Sequence, residues 1–348
     1  MKTVVSVNEI SEFEIKPKAE LGEWKKLVAK ETAERWKDKA SWVKVSCPVC
    51  KSDGSTPAFN RSGFVYVECN SCKTLYAQTR PSEKELNWWY TGSDSVNFWQ
   101  QKLLKLSAAS REAKIIEPRA NWILDGLSEY LSNTPLKNIH YTDISFFGKG
   151  LIEKIAETTE GMQIVSAGIT DGNEKYSSGA VKINTVSSID NISHLQQTNV
   201  LVAIDVLERI SSIRDFLLQL ESVVSPDGLV FATCPVSSGF EIQSLWDQSP
   251  SIIPPDKLNL PSVKGLIELF TASSKWKILE LSTPGMFDVE LVRQAMLQSP
   301  GENWPRSLHV LLDGIDHQGI GLFTEYLQSQ RLSSFARIVL RRERSKIL

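Results

Sequence analysis

The chain has 348 residues, which at roughly 150 per domain implies two domains, or one large domain with an appendage. Apolar residues make up 41% and charged residues 23%, so a sizeable core can form, and both a peptide-like scaffold and a disorder-dominated chain are excluded. Lys plus Arg is 39 and Asp plus Glu is 41, and the resulting charge of −2 offers no global attraction for nucleic acid or an anionic membrane.

Residues 1–40 read as a helical extension. Met1 to Glu20 mix charges with single apolar residues and lack the apolar stretch of a signal peptide. No later run approaches the roughly 18 to 20 apolar residues of a membrane span. The expected address is the cytoplasm, where five cysteines read as metal ligands or buried thiols rather than a disulfide framework.

Residues 41–80 read as a zinc ribbon. Two knuckles, Cys47-Pro48-Val49-Cys50 and Cys69-Asn70-Ser71-Cys72, are separated by 18 residues. Each Cys-x2-Cys turn aims two sulfurs at one point, and the second completes a tetrahedron of thiolates around Zn(II). Four protein ligands close the site, which makes it structural. Gly63 to Glu68 alternates like a strand, and Lys51 to Ser55 reads as a turn. A dithiol redox pair and a coincidence of buried cysteines are the competing readings. Lys44, Lys51, Arg61, Lys73 and Arg80 form no dense basic stripe with interleaved aromatics, so a nucleic-acid-binding ribbon ranks below one that docks or faces a substrate. Cys234, in the apolar run Leu229 to Cys234, reads as a buried strand thiol.

Residues 81–132 read as a helical connector and cap. Ser82 is the expected N-cap of a helix from Glu83 to Tyr90, with Glu85 as its capping-box partner. Trp88, Trp89, Tyr90, Phe98 and Trp99 crowd together, as a hydrophobic seam between domains or as an acceptor platform. Phe98 to Leu131 is helical in period with an interruption at Glu117-Pro118-Arg119.

Residues 133–348 alternate short apolar runs with amphipathic stretches. Expected strands are 137–144, 163–169, 179–186, 199–204, 229–234, 276–281 and 335–340; expected helices are 150–158, 212–224 and 262–272. Pro226-Asp227-Gly228 reads as a turn, and the basic terminus Arg341-Arg342-Glu343-Arg344 as a solvated tail. Such alternation implies right-handed crossovers, a largely parallel sheet covered on both faces, and a ligand beyond the carboxyl ends of the strands.

Asp205-Val206-Leu207-Glu208, a helix, and then Ser225-Pro226-Asp227-Gly228 running into Leu229 to Pro235 resemble the fourth-to-fifth-strand segment of class I S-adenosylmethionine-dependent methyltransferases. The ribbon, Ser238 to Ile242, Pro254 to Asn259, Thr283-Pro284-Gly285 and Leu332 to Arg337 are similar to a bacterial subgroup that accompanies sugar or polysaccharide biosynthesis. The resemblance implies an α/β, Rossmann-like seven-stranded sheet with an antiparallel last strand and an N-terminal zinc ribbon. It also implies S-adenosylmethionine over the first two strand ends.

The expected cofactor contacts are Asp143, Ser145, Gly148, Gly150, Thr170, Asp171 and Asp205. The loop departs from the family, because serine and phenylalanine replace early glycines and Gly148 and Gly150 arrive late. At the second strand end Thr170 stands where an acid holds the ribose, with Asp171 one residue on. Arg209 and Lys257 occupy positions where members frequently carry histidine, and neither replaces a histidine base cheaply. The acceptor-side candidates are Glu208, Glu241, Asp256 and Lys257, with the loop from Pro235 to Pro261 as the acceptor-facing cap. Two functions stay open at this level: methyl transfer to a sugar nucleotide or glycan, and a methyltransferase-like scaffold that binds a protein or glycan partner.

Overall fold

A computed structural model describes residues 1–5, 10–169, 176, 179, 181–184, 186 and 188–344. Two short N-terminal helices, α1 (Glu12–Ile15) and α2 (Lys18–Arg35), come first. Ser11 and Glu14 close a capping box on α1. Next is a small sheet of β1 (Trp42–Lys44), β2 (Ser55–Arg61), β3 (Phe64–Cys69) and β4 (Leu75–Pro81), in the order β1-β4-β3-β2 and antiparallel throughout. The buried faces of β3 and β4 present Phe64, Tyr66, Leu75 and Tyr76 as a compact core.

The connector comprises α3 (Glu83–Gly92), α4 (Asp94–Phe98), a π-helical stretch Trp99–Leu104, α5 (Ala108–Arg111), a second π-helical turn Glu112–Ile116, and α6 (Glu117–Tyr130). Glu117-Pro118-Arg119 does not break the run: helical backbone continues from Ala108 through the π-helical turn Glu112–Ile116 into α6, and Pro118 follows directly on that turn. Ser82 does precede α3, but its side chain makes no cap bond, and Glu85 turns instead to Arg35 and the Trp36 indole. Trp89 packs on Trp36, and Trp99 on Trp24, so the aromatic crowd joins α2 to the connector.

The larger unit follows as β5 (His140–Asp143), α7 (Lys149–Thr158), β6 (Gln163–Ser166), β7 (Val181–Ile183), β8 (Thr198–Ala203), α8 (Ile213–Val223), β9 (Val224–Pro235) and α9 (Phe240–Leu245). It continues with β10 (Asn259–Leu260), α10 (Val263–Ala272), β11 (Trp276–Ser282), α11 (Asp288–Gln298), α12 (Arg306–Leu312), α13 (His317–Ser329) and β12 (Phe335–Arg342). Seven strands form one sheet in the order β11-β12-β9-β8-β5-β6-β7. The five strands from β9 to β7 run parallel, and β12 is antiparallel to both neighbours. This is a mixed α/β fold whose strand order reverses beside β5, and there a crevice opens at the carboxyl ends.

Several boundaries shift from expectation, and the second strand ends at Ser166, short of the expected 169. The first strand starts at His140 because Leu136–Asn138 forms a 3-10 turn, and the third is confined to Val181–Ile183. Pro226-Asp227-Gly228 lies within β9, where the register against β8 slips between Thr198 and Val200 and Asp227 adopts a φ of 65°. The basic end is not solvated tail throughout: Arg341 and Arg342 belong to β12 and donate to the carbonyls of Tyr130 and Val224. Cys234 is fully buried in β9. Among the described residues no helix is long and apolar enough to cross a membrane.

Candidate functional site

Cys47, Cys50, Cys69 and Cys72 present sulfurs that all lie within 4.8 Å of one another. The Cys47–Cys72 and Cys50–Cys69 pairs are each 3.5 Å apart. Tetrahedral Zn–S bonds of about 2.3 Å place sulfurs about 3.8 Å apart, so this donor set fits Zn(II). Each knuckle closes on a left-handed lysine, Lys51 or Lys73, whose N–H donates to the first cysteine's carbonyl. The nearby cations are spent inside the fold. Lys51 pairs with Asp215, Lys73 with Glu68, and buried Arg80 donates to Ala77 O and Leu258 O. That leaves little basic surface for nucleic acid.

The ribbon meets the larger unit at α8, where the Arg214 N–H donates to Pro48 O, at Ser237, which donates to Lys73 O, and along the segment that contains β10. β10 extends the ribbon sheet by pairing Asn259 with Tyr76 and Leu260 with Leu75. Tyr66 Oη donates to Lys257 O at 2.6 Å, and Arg61 donates to Ser249 O at 2.5 Å. Trp246, within the loop from Pro235 to Pro261, packs on Phe59 of the ribbon.

A cleft of about 1070 Å³ opens between the helical connector and the carboxyl ends of β5, β8 and β9. Its lining includes Ser145, Phe146, Asp205, Pro235, Asp256 and Lys257. The segment from Pro235 to Pro261 therefore faces the cleft, while Trp24, Trp89 and Trp99 line the opposite, connector side.

Three of the four acceptor-side candidates meet in one cluster. Glu208 is fully buried, and its Oε1 accepts from Lys257 Nζ at 2.6 Å and from Arg209 Nη1 at 3.0 Å. Arg209 Nε stands 3.9 Å from Asp256 Oδ1, and its guanidinium lies 4.2 Å from the Phe146 ring centre. Burial pulls the Arg209 pKa down, but Asp256, Glu208 and Asp205 outweigh it and leave it raised. Glu208 is thus a structural anion between two cations rather than a free base. Replacing it with alanine takes from Lys257 its direct partner and leaves Arg209 with Asp256 alone, and a loss of about 3–5 kcal/mol is expected in urea unfolding. A loss below 1 kcal/mol would show the cluster to be solvated.

Glu241 stands apart from that cluster, in α9 on the cleft wall. Its Oε1 accepts from Ser249 Oγ at 2.7 Å, and its backbone N–H donates to Asp288 Oδ1 at 3.2 Å. Burial is the main cause that lifts its pKa to about 7; the Ser249 hydroxyl opposes this and the Asp288 charge adds to it. Asp288, which sequence did not single out, also accepts from the Ser334 N–H and hydroxyl.

The loop after β5 closes on its own acid. Asp143 is fully buried, with Oδ1 accepting from Ser145 N at 2.8 Å and Oδ2 from Tyr141 Oη at 2.9 Å. Gly148 caps α7, and a Cβ there would stand 3.1 Å from Asp143 Oδ1. Gly150 lies inside α7, pressed against Ile116. Neither glycine has positive φ; Phe147 takes it instead, at 60°. Asp205 follows β8 with a φ of 57°, and its carboxylate is 3.6 Å from Arg119. Burial pushes Asp205 up, but Arg119, Lys257, Arg209 and Arg111 together bring it down to about 2. Thr170 and Asp171 lie outside the described residues.

No model of a known protein family matches the chain, and no curated protein matches it. Solved structures similar to it include coclaurine N-methyltransferase bound to N-methylheliamine and S-adenosylhomocysteine, 12% identical over 64% of this chain and 72% of that one, with a TM-score of 0.41. The plantazolicin methyltransferase BpumL with S-adenosylhomocysteine is 12% identical over 75% and 95%, at 0.45. An O-methyltransferase from a trans-AT PKS multienzyme of Brevibacillus brevis, with the same product bound, is 13% identical over 69% and 77%, at 0.41. At such identities and scores a likeness assigns no activity.

Proposed function

We propose that this chain is an S-adenosylmethionine-dependent methyltransferase whose acceptor is a hydroxyl or carbon of a sugar nucleotide or glycan. The observation that carries the reading is Glu241, a cleft-lining carboxyl poised near neutrality. A group with a pKa near the working pH takes a proton most effectively. The sheet order and the antiparallel β12 agree with the architecture that the sequence resemblance implies.

Gly148 lets this loop fold tightly on itself, since a Cβ there would stand 3.1 Å from Asp143 Oδ1 and 3.3 Å from Ser145 Cβ. Ser145, Gly148, Gly150 and Asp205 would hold S-adenosylmethionine, with Asp143 fixing the loop from beneath. When bound, the cofactor supplies an electrophilic methyl group on a sulfonium. The connector helices exclude water from the cleft, the segment 249–257 orients the acceptor, and Glu241 takes the acceptor's proton on a carboxylate oxygen.

One observation favours a second reading, a scaffold that holds a protein or glycan partner. The positions that would carry histidine bases are closed into the Glu208–Arg209–Asp256–Lys257 charge cluster. Calorimetry on zinc-replete protein separates the two. Micromolar binding of S-adenosylmethionine and S-adenosylhomocysteine is expected for the enzyme. An absence of heat and of thermal shift at millimolar ligand would leave only the scaffold.

A further inference from the structure

Three arginines from distant parts of the chain share the cleft lining: Arg111 at the end of α5, Arg119 in α6 and Arg337 in β12. Two carboxylates stand near them. Asp205 faces Arg119 at 3.6 Å. Glu280 is already engaged at both oxygens, by the Trp122 indole N–H at 3.1 Å and the Ser282 hydroxyl at 2.5 Å. Arg337 lies over the Trp122 ring, 5.2 Å from its centre, and its Nε is enclosed without an acceptor. Arg111 makes no hydrogen bond or ion pair with any described residue, and shares the lining with Arg119 and the apolar Ile115 and Ile116.

Burial chiefly, and Arg119 next, hold the Arg111 and Arg337 pKa values down, each to about 10. Both groups therefore stay cationic at neutral pH without a direct ion pair among the described residues, since Asp205 acts on Arg111 and Glu280 on Arg337 only at longer range. The fork of an arginine matches the paired oxygens of a carboxylate or phosphoryl group, and bidentate geometry is where arginine outperforms lysine. A neutral ligand would leave the unspent N–H groups of Arg111 and Arg337 buried against it.

We propose that this wall is an oxyanion-binding site, in which Arg111 and Arg337 hold a carboxylate or phosphoryl group of a ligand, with the Arg119–Asp205 pair beside it. The site does not rest on methyl transfer, since a scaffold would need the same ligand charge. The oxyanion has two possible sources, a phosphoryl group on the acceptor or the carboxylate of an amino-acid-bearing cofactor.

The test is titration calorimetry of the full-length, zinc-replete protein with inorganic diphosphate at low salt, with and without saturating S-adenosylhomocysteine. Saturable diphosphate binding is expected, weakened at least tenfold in Arg111→Gln and in Arg337→Gln. The conservative Arg337→Lys keeps the charge but loses the fork, and should fall between wild type and Gln; it also serves if the Gln variant unfolds. Undiminished diphosphate binding beside S-adenosylhomocysteine assigns the site to the acceptor, and competition assigns it to the cofactor carboxylate. Absence of diphosphate binding, or binding that none of the folded variants alters, overturns the proposal. Diphosphate binding and its loss in the variants are read from the anion alone, so they are distinct from failure to bind the methyl donor; the competition arm is read once S-adenosylhomocysteine binding has been measured directly.

Discussion

Stripping zinc, or replacing Cys69 with serine, is expected to disorganise the cleft as well as the ribbon. Structural zinc contributes about 10–16 kcal/mol to the folding of small four-ligand units. The loss propagates because the ribbon and the cleft share a segment. β10 is a strand only because β4 pairs with it, Tyr66 holds Lys257 O, and Ser262 Oγ donates to Cys72 O. Lys257 and Asp256 belong to the charge cluster, and Ser249 is the hydroxyl partner of Glu241. Hydrogen exchange on chelator-treated protein should therefore rise across residues 42–81 and again across 249–262, while β5, β8 and β9 stay protected. Unchanged exchange in 249–262 after verified metal loss would sink this coupling.

That coupling was only half legible in the sequence. The cysteine spacing announced the four-cysteine cluster, because two short turns suffice to converge four sulfurs and the signal is wholly local. The alternation of apolar runs gave the α/β class for the same reason. The partner of Asn259-Leu260 was invisible, since two residues carry no periodicity and their acceptor strand lies more than 180 positions away. Ser238 to Ile242 and Leu332 to Arg337 stood out as motifs without a stated reason to belong together. In the fold they touch: a Cβ on Gly239 would fall 2.2 Å from Ser334 Cα, and Asp288 binds both Ser334 and the Glu241 N–H. Arg111, Arg119 and Arg337 escaped notice because each looks ordinary in its own element. A cation inside the otherwise apolar Phe335 to Leu340 was the one available hint. Glu208 was read as a candidate beside the acceptor, whereas its burial between Arg209 and Lys257 depends on a loop 49 residues away.

Glu241→Gln is expected to change stability and activity in opposite directions, and that opposition is what marks the group as a functional one. The folded carboxyl has a pKa of about 7 against an ordinary 4.5, raised first by burial. The folded state thus binds a proton between those values that the unfolded chain has released, so this contribution is full below pH 4.5 and is lost as pH rises through 7. At about 1.4 kcal/mol per pH unit, ionising Glu241 costs the fold up to about 3 kcal/mol by pH 8. The glutamine variant, which cannot ionise, should match wild type near pH 5 and exceed it in urea unfolding at pH 8. In the proposed role, turnover depends on the ionised form: the wild-type rate should climb through pH 7 and level off, and the variant should lose about 10²–10⁴-fold in kcat. A structural carboxyl would show the stability crossover without the loss of turnover. A variant within tenfold of wild-type kcat, or a wild-type rate flat from pH 6 to 8, would remove Glu241 from proton transfer and leave the acceptor's proton to another group.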